Sequence, residues 1–188
     1  LVFLLFCPET NKHIEPRRRV WSRLLPTYGS ILKNPLFVVA TAITGVSMSA
    51  ITLYSTTSAF IFKAHYHVSP EQFGLLTLVV AMGAVLGKLI KPALTQRIGM
   101  EKSVLVGVGL IGLGGLGLLV FAGLGKLSLP FVIGGIFVTF LGCPFVQSTT
   151  MYYALGPFHD KRGSAGALFG SAQMLFKFTC SVLVSLFV

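Results

Sequence analysis

Hydrophobic residues in this chain form long uninterrupted runs, and polar residues gather in the short segments between them. A transmembrane helix needs about 20 apolar residues to cross roughly 30 Å of hydrocarbon. Five runs meet this length, with approximate bounds 35–62, 72–94, 103–124, 129–154 and 164–188. The pattern therefore predicts an all-α, polytopic membrane helix bundle with about five transmembrane helices.

The two ends of the chain continue the pattern. Residues 1–6 are apolar but too short to span, and they are similar to the end of a transmembrane helix. Residues 7–34 form a basic segment that we predict to be a cytoplasmic loop, followed by the bundle at 35–188. The chain begins without Met and ends inside an apolar run, so we expect it to be a fragment, cut at both ends.

Helix starts are marked by local signals before the first two runs. Asn34 can cap a helix whose first residue is Pro35, a position that tolerates the missing N–H of proline. Before the second run, Ser69 can cap, Pro70 fits the first helical position, and Gln72 can bond back to the cap.

Composition narrows the class of protein. The chain is 54% hydrophobic and 11% charged, whereas soluble domains carry about 25% charged residues. The net charge of +10 does not indicate nucleic-acid binding, because the basic residues are divided among separate loops. The lipid bilayer is the expected partner.

The loop charges predict the orientation in the membrane. Basic residues concentrate in alternate loops, around Arg18, Arg97 and Arg162, and the positive-inside rule places these loops in the cytoplasm. The intervening loops, around His65 and Lys126, are predicted to be external.

The sequence lacks the sets of residues that catalysis usually requires. No Asp or Glu falls within a predicted span, and His65 and His67 have no third metal ligand nearby in the sequence. No nucleophile–base set or phosphate-binding loop is legible. We therefore predict that the protein is not an enzyme and has no catalytic residues, no metal and no cofactor.

Lys177 lies alone in the last apolar run, thirteen residues after Ser164 and therefore about 20 Å along the helix. A charged side chain at the bilayer centre costs about 2.5 to 3.5 kcal/mol on insertion scales. Gln173 is one turn earlier on the same face. We interpret Lys177 as a cavity charge or ion-coupling residue; the alternative is a side chain that reaches the far interface. For Lys88 and Lys91, near a span end, reaching the interface is favoured over a transport role.

Hydroxyl residues recur at helical spacing in the first full run, which favours a cavity face, although such hydroxyls also bond their own helix. In the fourth run, Pro144 predicts a bend beside Phe145 and Gln147. We predict that the following residues bind substrate: Thr44, Met48, Thr52, Phe145, Gln147 and Gln173.

Glycines four residues apart predict close helix packing, since small residues let helix backbones approach. Two such pairs occur, Gly83 with Gly87 and Gly166 with Gly170.

Several short motifs together resemble the major facilitator superfamily and, within it, the Bcr/CflA-type drug-resistance exporters. The motifs are residues 7–10 (CPET), 53–60 (LYSTTSAF), 69–74 (SPEQFG), 97–99 (RIG) and 163–168 (GSAGAL). The resemblance implies twelve helices in two halves, of which this chain would hold the end of the sixth to the eleventh. It implies proton–drug antiport in a bacterial inner (plasma) membrane, with the proton-binding acid in the missing N-terminal half.

The leading hypothesis is a proton-coupled exporter of drugs or small amphipathic molecules. Two alternatives stay open. One is an importer of an anionic metabolite on the same fold, with Lys177 as the counter-charge, and the other is a membrane structural subunit without transport.

Overall fold

The computed structural model describes residues 26–125 and 128–186, and every regular element in these ranges is helical. Within them, five long helices follow one another: α1 (Pro35–Tyr66), α2 (Pro70–Ile98), α3 (Met100–Gly123), α4 (Leu129–Leu155) and α5 (Arg162–Ser185). Each is long and apolar enough to cross a membrane. The predicted all-α bundle is therefore confirmed. A short 3-10 turn, His159–Lys161, precedes α5.

The capping residues predicted at the helix starts form the expected hydrogen bonds. Asn34 caps α1, and its side-chain oxygen accepts from the backbone N–H groups of Leu36 and Phe37 at 3.0 and 3.4 Å. At α2, the Gln72 N–H donates to the Ser69 hydroxyl at 3.3 Å, and the Ser69 N–H donates to the Gln72 side chain at 3.2 Å. These caps satisfy backbone donors that a helix leaves unpaired.

Part of the predicted loop at residues 7–34 is instead helical. Residues 26–32 form a helical segment, and the rest of that loop up to residue 25, like the predicted helix end at 1–6, lies outside the described residues. Ile31 is fully buried in a cluster with Phe37 and Phe169. The segment is helical because its apolar side chains pack against α1 and α5, which a count of loop charges does not reveal.

The arrangement of the bundle centres on α4. This helix packs against α3, α2 and α1, while α5 packs mainly against α1. Only 6% of the α5 span is buried, so most of this helix is open to lipid or to another part of the protein.

Pro144 does not interrupt α4, which runs as one helix from Leu129 to Leu155. The proline is buried, and its ring lies against Gly87 of α2. The helix is continuous through the proline turn, on which α2 packs, and the bend predicted at Pro144 stays a prediction.

Candidate functional site

One face of α4 meets α1 through polar side chains. The Thr150 and Thr44 hydroxyls are hydrogen-bonded to each other, although the two residues are 106 positions apart. Two turns away on α4, the Cys143 thiol donates to the Ser47 carbonyl at 3.6 Å. Gln147 lies between Cys143 and Thr150 at helical spacing and therefore shares their face. These five residues, Thr44, Ser47, Cys143, Gln147 and Thr150, are the α1–α4 seam.

The Thr44–Thr150 bond competes with local bonds. Thr44 is fully buried, and its hydroxyl also lies 2.8 Å from the Ala40 carbonyl. The Thr150 hydroxyl lies 2.7 Å from the Val146 carbonyl. Each hydroxyl has a single hydrogen to donate. When one threonine donates to the other, it no longer donates to the carbonyl in its own helix. The seam therefore has more than one possible arrangement of hydrogen bonds.

A neighbouring face of α1 meets α5. The rings of Phe37 and Phe169 are in edge contact with centroids 6.4 Å apart. Further along both helices, Gly45 lies so close to α5 that an added Cβ would be 2.5 Å from Phe176. These two contacts show that α1 and α5 run parallel. Lys177, next to Phe176, therefore lies at the level of Gly45 and of the neighbouring Thr44.

The α1–α5 contact holds polar groups without partners in the described part of the chain. The Thr41 hydroxyl, one turn before Gly45, is buried and makes no hydrogen bond there. Gln173 is only 9% exposed, and Lys177 is half-buried. Neither forms a hydrogen bond or an ion pair with a described residue. Unpaired polar groups in an apolar span are costly, so their accumulation here indicates a polar route or a further partner.

Met48 and Thr52 continue α1 by successive turns from Thr44. Met48 is buried, and Thr52 is half-buried. The Thr52 hydroxyl donates to the Met48 carbonyl over 3.4 Å, a long bond. The Thr52 hydroxyl is therefore bonded within its own helix, which was the alternative to a cavity role. Met48 offers an apolar surface beside the seam.

Phe145 is placed differently from the other predicted substrate contacts. It is 1% exposed and faces α3, where an added Cβ at Gly107 would lie 2.7 Å from the Phe145 Cβ. This differs from the expectation that Phe145 shares a wall with Thr44. The reason is geometric: Phe145 is two residues from Gln147, which is about 200° around a helix.

The two glycine pairs also differ. An added Cβ at Gly83 would lie 2.7 Å from the Phe137 carbonyl oxygen, and one at Gly87 would collide with the Leu141 carbonyl oxygen. Both glycines therefore lie against the α4 backbone. At Gly166 and Gly170, an added Cβ meets no described atom within 4 Å. Close packing at this second pair stays a prediction, and it requires a partner outside the described residues.

Thr150 was missed by the sequence reasoning, although it is three residues beyond Gln147 on the same face. Extending the Gln147 stripe by one turn would have included it, but its pairing with Thr44 depends on tertiary structure. Among the described residues, no group of three or more His, Cys, Asp or Glu side chains is placed to bind a metal.

The fold and the motifs agree with comparisons to known proteins. The family model for the Major Facilitator Superfamily matches residues 1–178, so this chain belongs to that superfamily of membrane transporters. It is a multi-pass membrane protein. The predicted superfamily is confirmed, whereas the Bcr/CflA subtype stays a prediction.

A relative with a related sequence occurs in Bacillus subtilis (strain 168). It is described as the uncharacterized MFS-type transporter YceJ and is 30% identical over 113 residues. The aligned segment covers 59% of this chain and 27% of the relative, so the chain spans only part of that protein's length. No solved structure matches the chain significantly.

Proposed function

We propose that this chain forms one half of the substrate pathway of a proton-coupled exporter of the Bcr/CflA type, which exchanges protons for drugs or other small amphipathic molecules. The observation that carries the proposal is the Thr44–Thr150 hydrogen bond, a buried polar contact between two apolar spans. Unpaired Gln173 and Lys177 lie on α5, which packs against a neighbouring face of α1.

The residues of the seam would have distinct roles. Thr44 and Gln147 supply hydrogen-bonding groups from facing helices, and Gln173 supplies another from α5. Met48 offers a flexible, polarizable surface that adapts to apolar substrates of different shape. Most binding pockets combine such apolar walls with a few polar groups that orient the ligand.

Proton coupling would depend on the other half of the transporter, which the superfamily resemblance implies. A proton relay in a membrane ordinarily uses an ionisable side chain. In the described part of the chain, the acidic residues of α2 and α3 are Glu71 and Glu101, both in first turns. We therefore place the proton-binding acid outside this chain, in a protein of the bacterial plasma membrane, with Lys177 as a nearby positive charge.

A second function is favoured by one observation. Lys177 is a cation without an ion-pair partner among the described residues, and it lies at the level of the seam. A counter-charge of this kind suits an anionic substrate, so an importer of an anionic metabolite is the alternative.

Reconstituted full-length protein tests the proposal. Proteoliposomes with an acid interior and an internal pH-sensitive dye are given ethidium outside. The expected result is ethidium uptake coupled to alkalinisation of the interior, and Thr44→Val and Gln147→Ala should reduce both. Thr57→Val is the matched control, because its hydroxyl bonds only its own helix, at the Leu53 carbonyl.

Other results would contradict the proposal. Ethidium uptake without a pH change would contradict the proposed coupling to protons. Accumulation of an organic anion, with no movement of ethidium or other cationic drugs, would favour the importer. No transport of either class would favour a structural subunit.

A further inference from the structure

A pocket of about 500 Å³ with two lysines in its lining lies between α2 and α4, apart from the seam. Its lining comes from one end of α2 and from a single residue of α4: Lys88, Lys91, Pro92, Thr95, Gln96 and Ser148. The loop charges place this end of α2 on the cytoplasmic side. Ser148 is one residue from Gln147, which turns it about 100° away from the seam.

The pocket opens where the close contact between α2 and α4 ends. Gly87 lies against the α4 backbone, and the next turn of α2 begins the pocket. Pro92 has no N–H, so the Lys88 carbonyl loses the helical bond it would otherwise receive. The pocket therefore lies between the glycine contact with α4 and the turn of α2 that contains the proline.

The free hydrogen-bond donors of the pocket are mainly its lysines. The Ser148 hydroxyl already donates to the Pro144 carbonyl at 3.2 Å, and Thr95 is bonded to Ser103 at 2.9 Å. Lys88 and Lys91 make no hydrogen bond or ion pair with a described residue. Their ammonium groups are therefore the strongest unused donors at this site.

The two lysines also destabilise each other. They are three residues apart, which places like charges on one helical face. Lys91 is half-buried, so part of its hydration is lost. An anion between the ammonium groups would relieve the repulsion and replace the lost hydration.

A second cavity lies beside the first. It has a volume of about 420 Å³, shares Ser148, and extends past Met151 and Tyr152 to Arg162. The Arg162 guanidinium lies 3.0 Å from His159 Nδ1. Each of the two cavities therefore has a cationic side chain in its lining, and Ser148 is common to both.

We propose that the pocket between α2 and α4 binds a phosphate-bearing anion, with the phosphate held by Lys88 and Lys91. Basic pockets between transmembrane helices on the cytoplasmic side suit anionic headgroups. The same chemistry fits a soluble phosphate that enters from the cytoplasm. Neither source depends on the transport reaction proposed above.

Binding to the purified full-length protein tests this site without a transport assay. Retention of phosphatidylglycerol is compared with retention of zwitterionic phosphatidylcholine by native mass spectrometry. Inorganic phosphate is titrated separately, with thermal stabilisation as the readout. Each lysine near a membrane surface contributes about fivefold in affinity for an anion. The double substitution Lys88→Gln and Lys91→Gln should therefore weaken binding roughly 25-fold.

The control removes the same charge elsewhere on the predicted cytoplasmic side, by Lys33→Gln with Lys102→Gln. Selective loss of phosphatidylglycerol in the pocket variant assigns the site to a lipid headgroup. Selective loss of stabilisation by inorganic phosphate assigns it to a soluble anion. Equal loss in pocket and control variants, or no loss in either, would overturn the proposal.

Discussion

The two sides of α4 hold their neighbours by opposite means. Towards α2 and α3, contact depends on missing side chains: Gly87 lies on the α4 backbone, and an added Cβ at Gly142 would be 2.7 Å from the Gly107 carbonyl oxygen. Towards α1, contact depends on side chains that are present, such as the Thr44 and Thr150 hydroxyls. The first kind of contact allows one close arrangement, and the second allows several.

This difference follows from the solvent. Lipid tails are as apolar as the helices, so helix association in a membrane depends on close packing and on hydrogen bonds between helices. Glycine contacts depend on the close approach of two helix backbones, and a side chain at the glycine position would prevent that approach. Hydroxyl contacts are exchangeable, because each threonine has a carbonyl in its own helix as an alternative. We infer that α2, α3 and α4 form the stable unit and that α1 is the helix able to shift against it.

The largest effect is expected from Gly87→Leu. The new side chain would meet the Leu141 carbonyl oxygen, which belongs to backbone and does not move easily. Overpacking of this kind costs about 1 to 3 kcal/mol and occasionally more, and contact with backbone places this change at the upper end. The folded fraction in gel filtration and the apparent melting temperature should both fall.

Gly112→Leu is the matched control for that change. It adds the same side chain on α3, at a glycine where an added Cβ meets no described atom within 4 Å. A Gly87→Leu protein as stable as this control would mean that α2 does not rest on α4, and the contrast between the two sides of α4 would disappear.

Lys177→Ala should change transport and leave the fold intact. Removing a charge from an apolar span lowers the cost of insertion. For a charge separation of about 15 Å and an effective dielectric constant of about 20, one charge would contribute about 1 kcal/mol, or about fivefold. Rates for anionic and cationic substrates should change in opposite directions, with neutral substrates least affected. Lys102→Ala is the control, and identical profiles for both variants would leave Lys177 without a cavity role.

The helices and their first residues could be predicted from the sequence because the signals that determine them are local. Apolar runs, Asn34 and the Ser69–Gln72 pair act within a few residues of where they stand, and the structure has them in these roles. The hydroxyl stripe of α1 was visible for the same reason. Its partner Thr150 and the pocket at Lys91 were not, because both depend on which helix lies opposite, and a single span does not encode its neighbour.

Gly170→Leu addresses a face that the described helices leave open. The spacing of Gly166 and Gly170 predicts a close neighbour, and α5 is largely uncovered. We expect a smaller loss of folded full-length protein than for Gly87→Leu, because fewer contacts are at stake. Ser171→Leu, at an exposed position about 100° around the helix, is the control. Equal yields for both variants would assign the Gly170 face to lipid or to a cavity.

The smallest effect is the coupling between Thr44 and Thr150. Hydrogen bonds between helices in a membrane contribute about 0.6 kcal/mol on average in double-mutant cycles. We expect a value of about this size from Thr44→Val and Thr150→Val, singly and together, measured by unfolding in mixed detergent. Each single variant leaves the other hydroxyl its own carbonyl, at Ala40 or at Val146, so neither leaves a buried group unpaired.

A second cycle supplies the control for this coupling. Thr139 is also on α4, but its hydroxyl donates to the Gly135 carbonyl at 2.9 Å and it lies against Gly114 of α3. Thr44→Val with Thr139→Val should therefore show no coupling. A Thr44–Thr150 coupling equal to this control would remove the seam as an interaction. A coupling well above about 1.7 kcal/mol, the largest value in such cycles, would make the seam as fixed as the glycine side, and α1 would then not be the helix that shifts.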